Sequence, residues 1–347
     1  MKVFVCPSCG AGLFFENARC GACGAAVGYE PQAQDMRALG QGAGPRRCAN
    51  AGDDSAGCNW LLPDGAPGDL CAACRLTRTI PDLSAPGNLG LWRAVEAEKR
   101  RLTRGLMRLG LPVTPRAEDP AGMAFDFLAD PGPAFSDRGR VLTGHADGVI
   151  TLNIREADPA ERERMRLAMD EPYRTLLGHL RHEVGHHYWE RLVRDGPAIE
   201  GFRARFGDER ADYADALARH YADGPPADWR ACHVSAYAAA HPWEDWAESF
   251  AHYLHMVDTL ETAWGFGLRL APRSDASTAP ALAVAADFDP CAPVSFETLA
   301  GCWLPLTVAM NALSRSMGEG DLYPFALAAP ALDKLGFVHA TVHGLGG

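Results

Sequence analysis

Between residues 172 and 193 the apolar positions Leu176, Leu177, Leu180, Val184, Tyr188, Leu192 and Val193 recur at helical spacing. The pattern predicts a helix with one apolar stripe. Pro172 suits its first turn, and Asp195-Gly196-Pro197 is a stop signal. Similar patterns predict helices over 91–109, 158–169, 208–221, 242–260, 296–317 and 330–336. Residues 123–128 and 148–154 read as strands, the second with period-2 alternation. A small mixed sheet followed by helices predicts an α+β, mostly helical fold. The strand at 148–154 is expected to offer an edge to an extended ligand backbone. Composition shifts after 80–87, which divides the chain into a cysteine-rich region, 1–79, and a body, 80–347.

A chain of 347 residues can hold two or more domains and a sizeable core. Its net charge of −11 argues against nucleic-acid or membrane-surface binding, which needs a positive field. The cluster Lys99, Arg100, Arg101, Arg104 and Arg108 reads as the solvated face of a helix. No run of eighteen apolar residues is present, so no membrane span is expected. No signal peptide is read at the start, and a reducing cytoplasm, where cysteines serve as ligands, is the expected location.

Eight of the eleven cysteines fall in the first 74 residues. Cys6-Pro-Ser-Cys9 and Cys20-Gly-Ala-Cys23 are two C-x-x-C knuckles, each followed by a glycine, Gly10 and Gly24. Four thiolates around tetrahedral Zn²⁺ form a closed structural site. Cys71-Ala-Ala-Cys74 is a third knuckle, and with Cys48 and Cys58 it makes a second quartet of longer arm. The turn at 40–45 separates the quartets. A region this short and glycine-rich is expected to bury little apolar surface and to fold on metal. Acidic Asp53, Asp54, Asp64 and Asp69 favour a protein partner there over nucleic acid. Cys232, Cys291 and Cys302 read as buried apolar residues.

The chemistry is concentrated in His182-Glu183-Val184-Gly185-His186. On a helix, positions i and i+4 share a face, so two imidazoles can bind one Zn²⁺ with Glu183 beside the water it activates. A catalytic zinc needs a third protein ligand and an open position. Downstream, Glu244, Glu248, His252 and His255 follow Pro242 at spacings of 4, 4 and 3 along one helix face. Either glutamate can complete a His₂Glu set, and the next turn can hold a ligand imidazole in place. His255 reads as packing, His187 as a support or surface residue, and His179 as a candidate to line the cleft.

The string His182-Glu183-x-x-His186 followed by Tyr237-Ala-Ala-Ala-His-Pro-Trp-Glu244-Asp-Trp-Ala resembles the gluzincin pattern of the Mlc titration factor and anthrax lethal factor peptidases. In those families a tyrosine precedes the glutamate ligand by seven residues, near an Asn-Pro-x-Glu-Phe-Phe-Ala string. The resemblance implies that Glu244 binds zinc and that Tyr237 stabilises the oxyanion. Glu248, one turn beyond, and His252 would then support the ligands. His241 stands where the pattern has Asn, and Asp245-Trp246 replaces Phe-Phe. With its quartets, the whole chain resembles bacterial zinc-binding metallopeptidases that carry an N-terminal zinc ribbon. The expected activity is hydrolysis of peptide bonds of narrow specificity, with one catalytic and two structural Zn²⁺. A zinc hydrolase of non-peptide amides and a non-catalytic ribbon adaptor with a peptidase-like body are the alternatives.

Overall fold

Each of the first two cysteine knuckles closes by the same pair of backbone hydrogen bonds. Gly10 N–H donates to Cys6 C=O and Cys6 N–H to Ala11 C=O, at 2.9 and 2.7 Å; Gly24, Cys20 and Ala25 repeat this at 2.9 and 2.8 Å. Both glycines adopt positive φ, 78° and 73°, which a side chain would strain. The computed structural model describes residues 2–40, 44–52, 54–130, 141, 143–273 and 279–344. Residues 41–43 of the expected turn, and Asp53, lie outside the described residues. The chain divides into two units, Met1–Leu180 and Arg181–Gly347.

In the first unit the cysteine-rich region is built from short antiparallel pairs: Phe4–Val5 with Gly12–Leu13, Val27–Glu30 with Asp35–Ala38, and Arg46–Arg47 with Leu61–Leu62. Contrary to expectation, it buries a substantial core. Phe4, Phe15, Tyr29, Met36 and Trp60 pack in one cluster with cysteines of both quartets. The reason is aromatic content: Tyr29 lies 5.0 Å, centroid to centroid, from both Phe15 and Trp60. Close approach depends on Gly28, where a Cβ would fall 2.5 Å from the Asn59 carbonyl.

Helix α1 (Asn88–Arg108) carries the basic cluster, and here too the structure corrects the sequence. Lys99, Arg100 and Arg104 are buried, not solvated. Lys99 donates to Glu96 at 3.0 Å and to the Thr77 hydroxyl, Arg100 donates to the Ala56 carbonyl at 3.4 Å, and the Arg104 guanidinium stands 5.9 Å from the Phe4 and Phe15 rings. Each cation has a partner that offsets its desolvation.

A four-stranded sheet follows in the order Thr77–Thr79, Ala124–Leu128, Val149–Asn153, Gly144–Ala146. The first two pairings are parallel and the last is antiparallel. Asp147 and Gly148, both at positive φ, make the tight turn of the last hairpin. Val149–Asn153 therefore has a neighbour on each side, and the expectation that it offers an edge is wrong. Helix α2 (Pro159–Ala168) starts on Asp158, whose carboxylate accepts the Ala160 N–H at 2.8 Å.

Beside this sheet Glu156 is buried and accepts from His179 Nδ1 and the Thr143 hydroxyl, each at 2.5 Å, with Arg174 3.5 Å away. His179 is thus a structural partner of Glu156. Burial opposes the Glu156 charge, but His179 and Arg174 outweigh it and hold its pKa down at about 2, against 4.5 for a free glutamate. A depressed folded value stabilises above the unfolded pKa and is lost as pH falls through the folded one. We expect the stability of wild type to fall between pH 4.5 and 2 by on the order of 3 kcal/mol more than that of Glu156→Gln. Urea titrations of both proteins across that window measure it; parallel pH profiles would refute the assignment.

Helix α3 (Leu176–Leu192) begins later than Pro172, because the Thr175 hydroxyl caps it by accepting the Gly178 N–H at 3.0 Å. The second unit continues with α4 (Ile199–Phe206), which the sequence pattern did not reveal, and α5 (Tyr213–Asp223). The expected start at 208 fails because Asp208 turns back onto Arg210 N–H at 3.0 Å, and Asp212 makes the cap instead. Then come α6 (Pro242–Gly265), α7 (Phe296–Ser316) and α8 (Ala329–Val342). Helix α8 runs past Gly336, expected as its end, because that glycine packs against the Phe296 ring. Tyr188, Phe202, Trp246, Phe250, Tyr253 and Trp303 fill the core of this unit. Of the scattered cysteines only Cys291 is buried; Cys302 is partly buried and Cys232 is exposed. The fold is α+β, and the cysteine-rich region precedes it in the chain. Among the described residues no helix is long and apolar enough to cross a membrane.

Candidate metal centre

Helices α3 and α6 cross at two small residues. A Cβ on Gly185 would stand 3.0 Å from Ala247 Cα and 3.2 Å from its carbonyl oxygen. The Trp246 indole donates to the Gly185 carbonyl at 2.9 Å and fixes the crossing. One variable position of the H-E-x-x-H string thus sets how closely the second helix approaches. Gly185→Ala is expected to cost about 1–3 kcal/mol by overpacking and to weaken metal retention together with stability. Thermal unfolding and zinc competition titrations read both; an unchanged melting temperature would contradict the tight crossing.

The crossing brings His182 and His186 from α3 onto Glu244 from α6. Glu244 Oε2 lies 3.0 Å from His182 Nε2 and 3.5 Å from His186 Nε2, and all three residues are buried. Ligands about 2.0–2.1 Å from a tetrahedral zinc stand roughly 3.3 Å apart, so this spacing fits a single ion. The hydrogen-bonding pattern fits as well. Glu244 Oε2 is buried with no well-formed hydrogen bond, while Oε1 accepts the Tyr213 hydroxyl at 2.6 Å. His182 turns its other nitrogen, Nδ1, to Glu248 Oε1 at 2.7 Å, and Ser235 donates to Glu248 Oε2 at 2.6 Å. Burial opposes charge at His182 and at Glu244. Even so, Glu244 and Glu248 hold His182 well above the usual imidazole value, and the two imidazoles hold Glu244 well below the usual carboxylate range. A pocket with two carboxylates and two imidazoles demands positive charge, which a divalent cation supplies.

Glu183 is buried on the same helix. Tyr237 begins a short 3₁₀ turn, Tyr237–Ala239, ahead of α6, and its ring centroid is 6.0 Å from that of His182. Burial, then Glu244, pushes its phenol pKa far up, so it stays a neutral O–H donor. His241 explains its own departure from the expected Asn. Its Nδ1 accepts the Trp243 N–H and caps α6, while Nε2 donates to the Ala211 carbonyl, both at 3.1 Å. Asp245 is accommodated by an ion pair with buried Lys334 at 2.5 Å. His252 is not bonded to a ligand imidazole: its Nδ1 pairs with the Tyr323 hydroxyl at 2.7 Å. His255 packs on Trp303 and Tyr323, and His187 is buried beside Tyr188, not at the surface. Tyr213, Ser235 and Trp243, whose ring lies 4.0 Å from that of His186, were missed. Each comes from outside the two motif strings or carries no ligand-type spacing.

Both cysteine quartets also assemble, each with its sulfurs within 4.8 Å of one another. The Cys6–Cys23, Cys9–Cys20 and Cys58–Cys71 sulfurs are 3.8, 3.7 and 3.7 Å apart. Zinc–sulfur bonds of about 2.3 Å give roughly 3.8 Å between ligands in a tetrahedron. Backbone amides support the thiolates. Cys23 and Ala22 N–H bring the Cys20 thiol down to about 6, and Cys71 N–H approaches Cys48 Sγ at 3.4 Å.

A family model described as "Putative zinc-binding metallo-peptidase" matches residues 88–341, and one for a zinc-ribbon domain matches residues 3–85. The chain belongs to this zinc-binding metallopeptidase family. Uncharacterized proteins of Mycobacterium bovis and Mycobacterium tuberculosis are 44% identical to it over 344 residues, spanning 99% of this chain and 95% of theirs. No solved structure matches it. Family membership and the three ligand-rich clusters together support zinc as the metal.

Proposed function

We propose that this family member is a zinc-dependent peptidase, acting on peptide or protein substrates of narrow range. The observation that carries the reading is the meeting of His182 Nε2, His186 Nε2 and Glu244 Oε2 from two helices, with Glu183 on one of them. Held by these three side chains, Zn²⁺ would supply Lewis acidity and a water whose pKa falls to about 7. Glu183 takes the proton of the attacking water as general base and passes it to the departing amine. Tyr237, kept protonated by its surroundings, donates a hydrogen bond to the oxyanion. Glu248 fixes the His182 ring through Nδ1, so that Nε2 faces Glu244, and Ser235 steadies Glu248 in turn. Tyr213 engages Oε1 of Glu244 and leaves Oε2 toward the imidazoles.

Cys6, Cys9, Cys20 and Cys23 hold one structural zinc, and Cys48, Cys58, Cys71 and Cys74 a second. Cysteines that hold metal and form no disulfide suit the reducing interior of a cell. The exposed Phe14 and Val5 beside the first quartet suit a protein partner. Metal analysis of the full-length chain should find three zinc, one of them exchangeable. A peptide library should be cut only while that exchangeable ion is bound. Absence of cleavage at full metal loading, or cleavage indifferent to chelation, would overturn the reading.

A further inference from the structure

Helix α5 is the least anchored helix of the second unit. Ala216 is its only fully buried residue. Glycines at positive φ flank it on both sides, Gly207 at 101° and Gly224 at 77°. Yet the segment reaches the metal centre at three points. The Tyr213 hydroxyl donates to Glu244 Oε1 at 2.6 Å, the Ala211 carbonyl accepts from His241, which caps α6, and the His220 ring lies 5.8 Å from that of Tyr237. The Tyr213 ring also stands edge-on to His241 and Trp243, at 5.3 and 5.7 Å. At the root of the segment, Arg203 of α4 grips Glu209 through two hydrogen bonds, at 3.0 and 2.6 Å.

Resting on the metal-centre reading above, we propose that residues 208–223 form a lid over the site, hinged at Gly207 and Gly224 and latched by Tyr213 on Glu244. Every latching contact named is polar or ring-edge, and of the helix only Ala216 is fully buried, with Leu217 and His220 half-buried. Such a segment opens at small cost while the core beneath it stays folded. The closed lid rests on two groups of the proposed chemistry: Tyr213 donates to Glu244 Oε1, and the His220 ring stands edge-on to that of the oxyanion donor Tyr237. Substrate must therefore displace α5 to reach the metal centre, and binding of substrate opens the lid. A wall held for structure alone would be expected to bury its apolar stripe, whereas Tyr213 and Tyr221 of α5 are exposed and Leu217 is only half-buried.

The test uses the zinc-loaded full-length chain and two variants, Tyr213→Phe and Glu209→Gln. Glu209→Gln loosens the root of the segment and touches no group of the metal centre. Hydrogen–deuterium exchange should show 208–223 opening faster in both variants, with 242–265 unchanged. Transfer of the exchangeable zinc to a chromogenic chelator should speed up in both, by roughly tenfold for loss of one hydrogen bond to a carboxylate. If Tyr213→Phe alone speeds zinc transfer, with exchange of 208–223 unaltered, Tyr213 merely orients Glu244 and the lid is refuted. Neither readout requires turnover, so absence of peptide cleavage would count against the peptidase reading and leave the lid to be judged by exchange and zinc transfer.

Discussion

Replacing Glu183 with Gln should cut peptide turnover by roughly 10²–10⁴-fold, the usual contribution of a positioned acid–base group, and leave all three zinc ions in place. The amide has nearly the same volume and cannot accept the proton. Glu183 belongs to neither quartet and is not one of His182, His186 and Glu244, whose ligand atoms converge. The split between chemistry and metal content is the informative result. Loss of zinc along with activity would make Glu183 part of the binding set and remove the base from the scheme. Full turnover in the variant would remove Glu183 as the base, whereas absence of turnover in both proteins at full metal loading would leave the protein as an adaptor with a peptidase-like body. The measurement is turnover at saturating peptide beside a metal count on the same sample. KM should stay near the wild-type value, because the interaction lost is made in the transition state.

How much of this was legible in the sequence depends on the range of the interactions involved. The H-E-x-x-H pair and the three C-x-x-C knuckles are local: a helix turn or a tight turn fixes the geometry, so these residues could be read directly, while Cys48 and Cys58 had to be assigned by elimination. Glu244 lies 58 residues beyond His186, and its approach depends on the Gly185–Ala247 crossing, which spacing does not encode. Resemblance, not periodicity, singled it out from Glu248. The buried cations of α1 show the opposite limit. Lys99, Arg100 and Arg104 look like a solvated face because the partners that bury them, Thr77, Ala56, Phe4 and Phe15, come from other segments. The strand at 148–154 failed in the same way. Alternation marks a strand but says nothing about its neighbours, and Gly144–Ala146 is too short to announce itself. Tyr213 is legible only in three dimensions, since nothing in its surroundings marks it as a partner of Glu244 31 residues away.

Glu244 and Glu248 should separate cleanly when each is replaced in turn. Glu244→Gln exchanges a charged oxygen ligand for a neutral amide at the point where both imidazoles converge. The exchangeable zinc should be lost on dialysis against buffer of nanomolar free zinc, and turnover with it, while the two cysteine-held ions remain. Glu248→Gln keeps a carbonyl that can still accept from His182 Nδ1, but it loses the charge that holds the ring. Affinity for the exchangeable zinc should fall about 10–100-fold, as for other residues that orient a metal-bound imidazole, and activity should return when zinc is raised. Rescue is the discriminating readout, because supplying metal repairs weak ligation but cannot replace a missing ligand. Should Glu248→Gln resist rescue and Glu244→Gln respond to it, the two glutamates would exchange roles. The 2.7 Å contact from His182 Nδ1 would then have to break to bring Glu248 to the metal. The present geometry opposes that exchange. Glu248 is committed on both oxygens, to His182 and to Ser235, whereas Glu244 keeps Oε2 directed at the two Nε2 atoms.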